Sequence, residues 1–260
     1  MAIAVIASKK DIAGMNIAKQ LEALGVAVFY TENELITSEN IDKQVASEFI
    51  VFISKHKSIE HKKTLSVHPI GNLSGEAKFG GKPLSVVKSS AIALKRMFQI
   101  LNETAVAMNS HYEITLEATH HGPYIDTPCL FIELGSSEEE WNDQTAAMII
   151  AKSVLMFIAE FPVLQGKGFT PTIGIGGTHY CPNFNKVQLN SDYAISHIIA
   201  QYNFPLSKEI IQDAIAKTLE KTNIILLDWK GLGKAKERDA LLEIISSIAL
   251  TTIKTSEMRK

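Results

Sequence analysis

Along most of the chain, short apolar runs alternate with longer stretches in which apolar residues recur every three or four positions. Residues 2–6, 26–30 and 49–54 are short, apolar and partly β-branched, and predict strands. Residues 91–108 carry Leu94, Met97, Phe98, Leu101, Ala105 and Met108 as one stripe, which predicts a core-facing helix. In residues 111–119, Tyr112, Ile114, Leu116 and Ala118 alternate with polar residues, as a half-buried strand requires. Cys129–Leu134 predicts another strand, and the segment from Gly135 to Trp141 then opens a helix. There Ser137 and Glu140 have capping-box spacing, and Glu138 and Glu139 suit the positive end of the helix dipole, so this acidic cluster reads as structural.

Farther on, residues 172–176 predict a buried strand and residues 187–189 a short one. Ser207 caps a helix bearing Ile210, Ile211, Ala214, Ile215 and Leu219 on one face. Residues 223–229 are strand-like, and Leu241, Ile244, Ile245 and Ile248 mark a last helix. Residues 53–90 break the rhythm: long, polar and glycine-dotted, they predict a functional or mobile loop. The β-then-α order points to an α/β protein: a single three-layer α/β/α domain over residues 1–260 with a mixed, mostly parallel central sheet.

Composition agrees with that picture and narrows the function. The chain has 260 residues, 46% of them hydrophobic, enough for a full core. Lysine plus arginine number 26 against 28 acidic residues, which excludes a globally basic nucleic-acid coat and an acidic disordered tail. A nucleic-acid substrate stays open, because one basic face hides in a neutral total. The cysteines, Cys129 and Cys181, form neither a disulfide framework nor a CxxC pair, as expected of a reducing compartment. The N-terminal apolar run is too short for a secretory signal. Residues 146–159 are interrupted by Lys152 and Ser153 and fall short of the ~20 residues of a bilayer span. The expectation is a soluble cytoplasmic protein without a membrane partner.

Three clusters carry candidate chemistry. In the first, Glu117-Ala-Thr-His-His-Gly-Pro123, His120 and His121 follow a strand, where open α/β sheets bind ligands. Adjacent side chains on extended chain diverge, so both serve one centre only if the backbone turns, and Gly122-Pro123 supplies a turn. In the second, Gly174-Ile-Gly-Gly-Thr-His179-Tyr-Cys181, the glycines permit close backbone approach and leave amides free to face an anion. No Gly-Lys-Ser/Thr follows, so this is not a Walker A loop. In the third, Ser66-Val-His68-Pro-Ile-Gly-Asn72, His68 lies in an ordered loop. His197 reads as a packed histidine, and His56, His61 and His111 as solvated ones. With Glu117 and Glu133 on neighbouring strands, these loops have the residues for a His/carboxylate metal centre or for a histidine base with amide oxyanion donors. Either arrangement suits hydrolysis of an acyl compound.

The elements at residues 66–72 (SVHPIGN), 114–123 (ITLEATHHGP), 131–137 (FIELGSS) with Trp141, and 174–180 (GIGGTHY) together resemble the archaeal and plant type of D-aminoacyl-tRNA deacylase. Ser8, residues 11–17 and Leu227-Asp228-Trp229-Lys230 fit as well, so the resemblance runs nearly end to end. It implies hydrolysis of the ester between a D-amino acid and tRNA, a zinc cofactor as two ions, a monomer, and a fold similar to phosphorylase/peptidyl-tRNA-hydrolase-like domains. By the same resemblance His120, His121, His179 and His68 are catalytic candidates. Metal ligands are drawn from His120, His121, His179, Glu117 and Glu133, and substrate contacts from Asn72, Gly176, Gly177 and Thr178. Cys181 is not expected as a ligand. Lys55, Lys57, Lys62 and Lys63, with Lys230, Lys234, Lys236 and Arg238, are candidates for phosphate contact. The alternatives are a zinc-dependent amidohydrolase or peptidase acting on a small acyl substrate, and a tRNA-binding module without catalysis.

Overall fold

The predicted alternation resolves into two largely parallel sheets with helices between and outside them. The computed structural model describes residues 2–59, 61–248 and 250–258. The first sheet comprises β1 (Ile3–Ser8), β2 (Val28–Thr31), β3 (Phe49–Lys55), β4 (Thr64–His68), β7 (Glu113–Leu116) and β8 (Cys129–Leu134), in the order β2-β1-β3-β8-β4-β7. Its pairs are parallel except β4 with β8. Strands β5 (Gly71–Asn72) and β6 (Ser85–Val86) pair as a separate antiparallel ribbon, whose Val86 joins the apolar core on the second sheet. The second sheet, β9 (Thr170–Gly176), β10 (Tyr193–Ile199), β11 (Ile224–Asp228) and β12 (Thr251–Lys254), is parallel throughout in the order β10-β9-β11-β12. This is the expected α/β/α class with mixed, mainly parallel pairing; its division into two sheets is not written in the periodicity.

Helices α1 (Ile12–Ala23), α2 (Ala91–Ala107), α3 (Glu138–Trp141), α4 (Gln144–Glu160), α5 (Pro182–Asn190), α6 (Lys208–Ala216) and α7 (Ala235–Ser246) complete the domain. Ser90 caps α2 by accepting from the Ala93 amide. Helix α2 touches β4 and β7 of the first sheet and β9 and β10 of the second, so one helix fills the space between them. Lys95, fully buried on α2, donates from Nζ to the carbonyls of Gln188, Ser191 and Tyr193 at 2.6, 2.7 and 3.1 Å. It thereby ties α2 to the C-terminal end of α5. Helices α6 and α7 supply Ile210, Ile211, Leu241 and Ile245 to the apolar core on the second sheet. Residues Gln144–Leu164 run helically for 21 residues, longer than the apolar run in the sequence suggests and long and apolar enough to cross a bilayer, yet α4 packs on α1 and α2 and buries Ile149, Ile150, Val154 and Phe157.

Two expectations change. Residues 187–189 are helical, within α5, because Phe184 and Val187 are buried three residues apart on a helix that starts at Pro182. Residues 53–90 are not one loop. They contain β4, whose Leu65 and Val67 alternate with Thr64, Ser66 and His68, all five buried within the sheet. Two apolar residues make too faint a period to stand out beside the lysine-rich approach. The capping box of Ser137 and Glu140 forms as expected.

Candidate active site

The segment after β7 stitches the two sheets together. Glu117 N donates to the Val67 carbonyl, Ala118 N to the His179 carbonyl at 2.8 Å, and Thr119 N to the Ile198 carbonyl at 2.9 Å. His68 ends β4, His56 follows β3, and His179 follows β9, so loops from both sheets meet over this segment. At His121 the backbone turns into the left-handed region, φ 43°, and the Gly122–Pro123 peptide is cis. The turn lets consecutive histidines share one centre: the His120 and His121 rings are 4.4 Å apart, and His68 lies 4.3 and 4.9 Å from them.

The orientation of this trio follows from its hydrogen bonds. Nδ1 faces a backbone carbonyl in each ring: Pro69 at 3.1 Å for His68, Ala118 at 2.8 Å for His120 and Gly122 at 2.6 Å for His121. A ring nitrogen facing a carbonyl must be the donor, which leaves Nε2 of His120 and His121 as acceptors in the neutral ring, while Nε2 of His68 faces the Glu133 carboxylate at 3.6 Å. Nε2 of His68 is buried and has no hydrogen-bond partner among the described residues. Burial, reinforced by the charge on His68, holds His120 well below the ordinary histidine range and pushes His121 down to about 4.

A second group surrounds two carboxylates. Oε2 of Glu117 lies 3.0 Å from Nε2 of His179 and 3.6 Å from Nε2 of His120, and Oε1 lies 3.0 Å from Nδ1 of His56. Glu133 accepts from the Ser54 hydroxyl at 2.7 Å and faces Nδ1 of His56 at 3.4 Å and Nε2 of His68 at 3.6 Å. Burial opposes charge on both glutamates, but the histidines outweigh it and hold both below the usual carboxylate range. Burial likewise opposes the charge of His56, and the two carboxylates overcome it, pushing its pKa up to about 11. His68 is raised in the same way against its burial by Glu133.

His56 was expected to be solvated; it is 5% exposed and spans both glutamates, with Nε2 on the Tyr180 hydroxyl at 3.0 Å. Its sequence context, between Lys55 and Lys57, hides this role. The clue lies in Asp11, which caps α1 through the Gly14 amide and also accepts from Lys55 N at 2.9 Å, fixing the backbone next to His56. Sequence reasoning also missed Tyr202, whose hydroxyl lies 3.1 Å from Nδ1 of His179. His61 and His111 are exposed and His197 is fully buried, as expected.

The structure thus brings His68, His120, His121, His179, Glu117 and Glu133 together, around a cleft of about 290 Å³ lined by Asn72, Phe79, Thr119, His120, His121, His179 and Tyr202 among others. Asn72 turns its amide to the Gly80 carbonyl at 2.8 Å. Gly176, Gly177 and Thr178 do not line this cleft. The amide of Gly177 donates to the Gly231 carbonyl at 3.1 Å, so it is not free to face an anion. These glycines instead let the chain pass Asp228, which a Cβ on Gly177 would meet at 3.0 Å. The Cys181 thiol donates to the Thr178 and His179 carbonyls, and its burial pushes it well above the ordinary thiol range. A larger cleft of about 630 Å³ between α5 and Trp229 contains no histidine. Among the lysine candidates, Lys63 pairs with Glu139 at 3.2 Å and Lys55 lies over Trp141, while Arg238 lies over Trp229.

Among the described residues, three sets of donor atoms each lie within 4.8 Å of one another: His68–His120–His121, Glu117–His120–His179 and His56–Glu117–Glu133. Their chemistry suits zinc, which favours imidazole and carboxylate donors. Histidines held at Nδ1 by a carbonyl and open at Nε2 have the outer-shell support that metal ligands use.

Comparison with known proteins gives one consistent result. The sequence pattern of the D-aminoacyl-tRNA deacylase family matches residues 43–253. The chain is 34% identical to a D-aminoacyl-tRNA deacylase of Thermococcus onnurineus, covering 96% of this chain and 98% of that one. It is 33% identical to another from Methanocaldococcus jannaschii, over 89% of this chain and 91% of the relative. Among solved structures, a crystal structure of a conserved protein of unknown function superposes with a TM-score of 0.88 at 29% identity, covering 98% of this chain and 96% of that one.

Proposed function

The chain belongs to the D-aminoacyl-tRNA deacylase family and hydrolyses the ester that joins a D-amino acid to tRNA, and from that premise we propose that the histidine–glutamate cluster is its catalytic centre, zinc-loaded and working as a monomer in the cytoplasm. The observation that carries this reading is the buried Glu117 carboxylate on His179, beside the His68–His120–His121 group, of which His120 and His121 line the same cleft as His179. The amidohydrolase alternative receives no support, since the relatives matched end to end are D-aminoacyl-tRNA deacylases.

Glu117 accepts from Nε2 of His179, which leaves Nδ1 of that ring as its basic nitrogen, at the cleft and beside the Tyr202 hydroxyl. In the proposed reaction Nδ1 takes a proton from the attacking water, and Glu117 stabilises the imidazolium that forms. The tetrahedral intermediate then collapses, the bond to the ribose oxygen breaks, and the proton on Nδ1 passes to that oxygen. His68, His120 and His121 are the residues that would hold a zinc ion through Nε2, and Glu117 and Glu133 are the carboxylates available to a second. Zinc bound there supplies Lewis acidity toward the ester carbonyl and a lowered pKa for water. The shape of the cleft would select chirality, admitting the D side chain and excluding the L arrangement. Phosphate contacts from the exposed lysines would make the activity fall with salt.

The test offers D-Tyr-tRNA, L-Tyr-tRNA and a D-acyl amide to the purified protein, with and without a chelator. Cleavage of D-Tyr-tRNA alone, lost on chelation, is expected. Equal cleavage of the L ester, or full activity in His179→Ala, overturns the assignment.

A further inference from the structure

Phe79 is 66% exposed, an unusual position for a phenylalanine, and it lines the same cleft as His120, His121 and His179. Its backbone is nevertheless firmly held. The Phe79 carbonyl accepts from Gly122 N at 3.0 Å, next to His121; the neighbouring Gly80 carbonyl accepts from the Asn72 amide at 2.8 Å; and Gly81 N donates to Glu39 at 2.7 Å. Gly80, at φ 74°, passes so close to the Ile36 carbonyl that no side chain fits there. The fold therefore fastens this loop to the catalytic turn while leaving the ring uncovered at the cleft.

We propose that Phe79 is the stacking platform for the 3′-terminal adenine of the tRNA being deacylated. The inference rests on the reading of the cluster as the deacylation centre. With the ester carbonyl at the histidines, the ribose that carries it enters the cleft, and the base on that ribose lies within a nucleotide's length of the reacting carbon. A flat apolar group must then be received at the mouth, where Phe79 stands. The amino-acid side chain varies among substrates, whereas the terminal base does not, and an aromatic ring fixed by backbone hydrogen bonds suits a constant partner. Lys78, adjacent in the same cleft lining, is paired with Glu76 at 2.7 Å, so the receptive feature at this mouth is the aromatic face, the group on which single-stranded bases stack. Phe79 is thus a substrate-positioning residue that acts through the base and leaves the proton transfers to others.

Steady-state kinetics on D-Tyr-tRNA for Phe79→Ala, Phe79→Leu and Phe79→Trp provide the test, with thermal melts to show that each variant is folded. Loss of a base–aromatic stack predicts that the Ala and Leu variants raise KM by roughly 5- to 150-fold, with most of the effect in KM rather than kcat. The Trp variant, which keeps an aromatic face, stays near the wild-type KM. A Leu variant with wild-type kinetics, or an Ala variant that lowers kcat alone, overturns the inference, since an apolar wall or a catalytic role would then explain the ring. Failure of the underlying reading is seen separately, as a wild-type protein that leaves D-Tyr-tRNA intact, and the inference then falls with it.

Discussion

Nε2 of His179 stands 3.0 Å from Oε2 of Glu117, a contact between a loop of the four-stranded sheet and a carboxylate that leaves the six-stranded one. The site exists because the two sheets dock. If the two residues act as one unit, Glu117→Gln and His179→Ala should each lower kcat/KM by about 10²- to 10⁴-fold. The double variant should be little worse than the more damaging single one. Single-turnover deacylation of D-Tyr-tRNA measures this, and fully additive losses would separate the pair.

His56 lies between two buried glutamates and offsets part of their charge. Its replacement by alanine leaves two carboxylates buried without their shared cation. Breaking a buried charge pair costs about 3–5 kcal/mol. Urea unfolding of the chelator-treated protein should show a loss of that order, and a midpoint equal to wild type would contradict the pairing.

Acid sensitivity follows from a different pair. Arg96 on α2 grips Glu160 at the end of α4 with Nε at 2.7 Å and Nη2 at 2.9 Å. The Arg96 hydrogen bonds outweigh partial burial and pull Glu160 from 4.5 down to about 2. A carboxylate whose folded pKa is lowered contributes stability above its unfolded value and loses it as pH falls through the folded one. Glu160→Gln should therefore melt below wild type at pH 7, with a gap that shrinks between pH 4.5 and 2. A gap that persists unchanged at pH 2 would exclude this linkage.

Metal dependence gives a direct readout of the histidine trio. Dialysis against a chelator should abolish deacylation and zinc should restore it, while His121→Ala should reduce the zinc retained per chain in elemental analysis. Undiminished zinc content in that variant would remove His121 from the ligand set.

The turn after His121 has little room. A Cβ on Gly122 would meet Gly81 N at 2.3 Å and the Ile36 carbonyl at 2.5 Å, both backbone atoms that cannot swing aside. Gly122→Ala should cost about 1–3 kcal/mol by overpacking and should displace His121. The check is a lowered melting temperature accompanied by lost activity; a variant with both unchanged would show the loop to be more yielding than its contacts imply.

The local order of the chain was legible wherever the physics is local. Strand Cys129–Leu134, helix α2 and the Ser137–Glu140 capping box form where apolar period and cap chemistry place them. The THHGP and GGTHY elements stand out because histidines beside glycine and proline after a strand mark a loop built for chemistry. Strand β4 and helix α5 were misread because each has only a few apolar residues, and short runs carry no decisive period. His56 and Tyr202 were invisible for another reason: their partners are 61 and 23 residues distant, at Glu117 and His179. Burial, the charge state of each ring and the engagement of the Gly177 amide are properties of what the folded chain brings alongside a residue, and neighbours in sequence do not encode them. The residue types for the chemistry thus lie open in the sequence, while the docking of two sheets across α2 decides which of them meet.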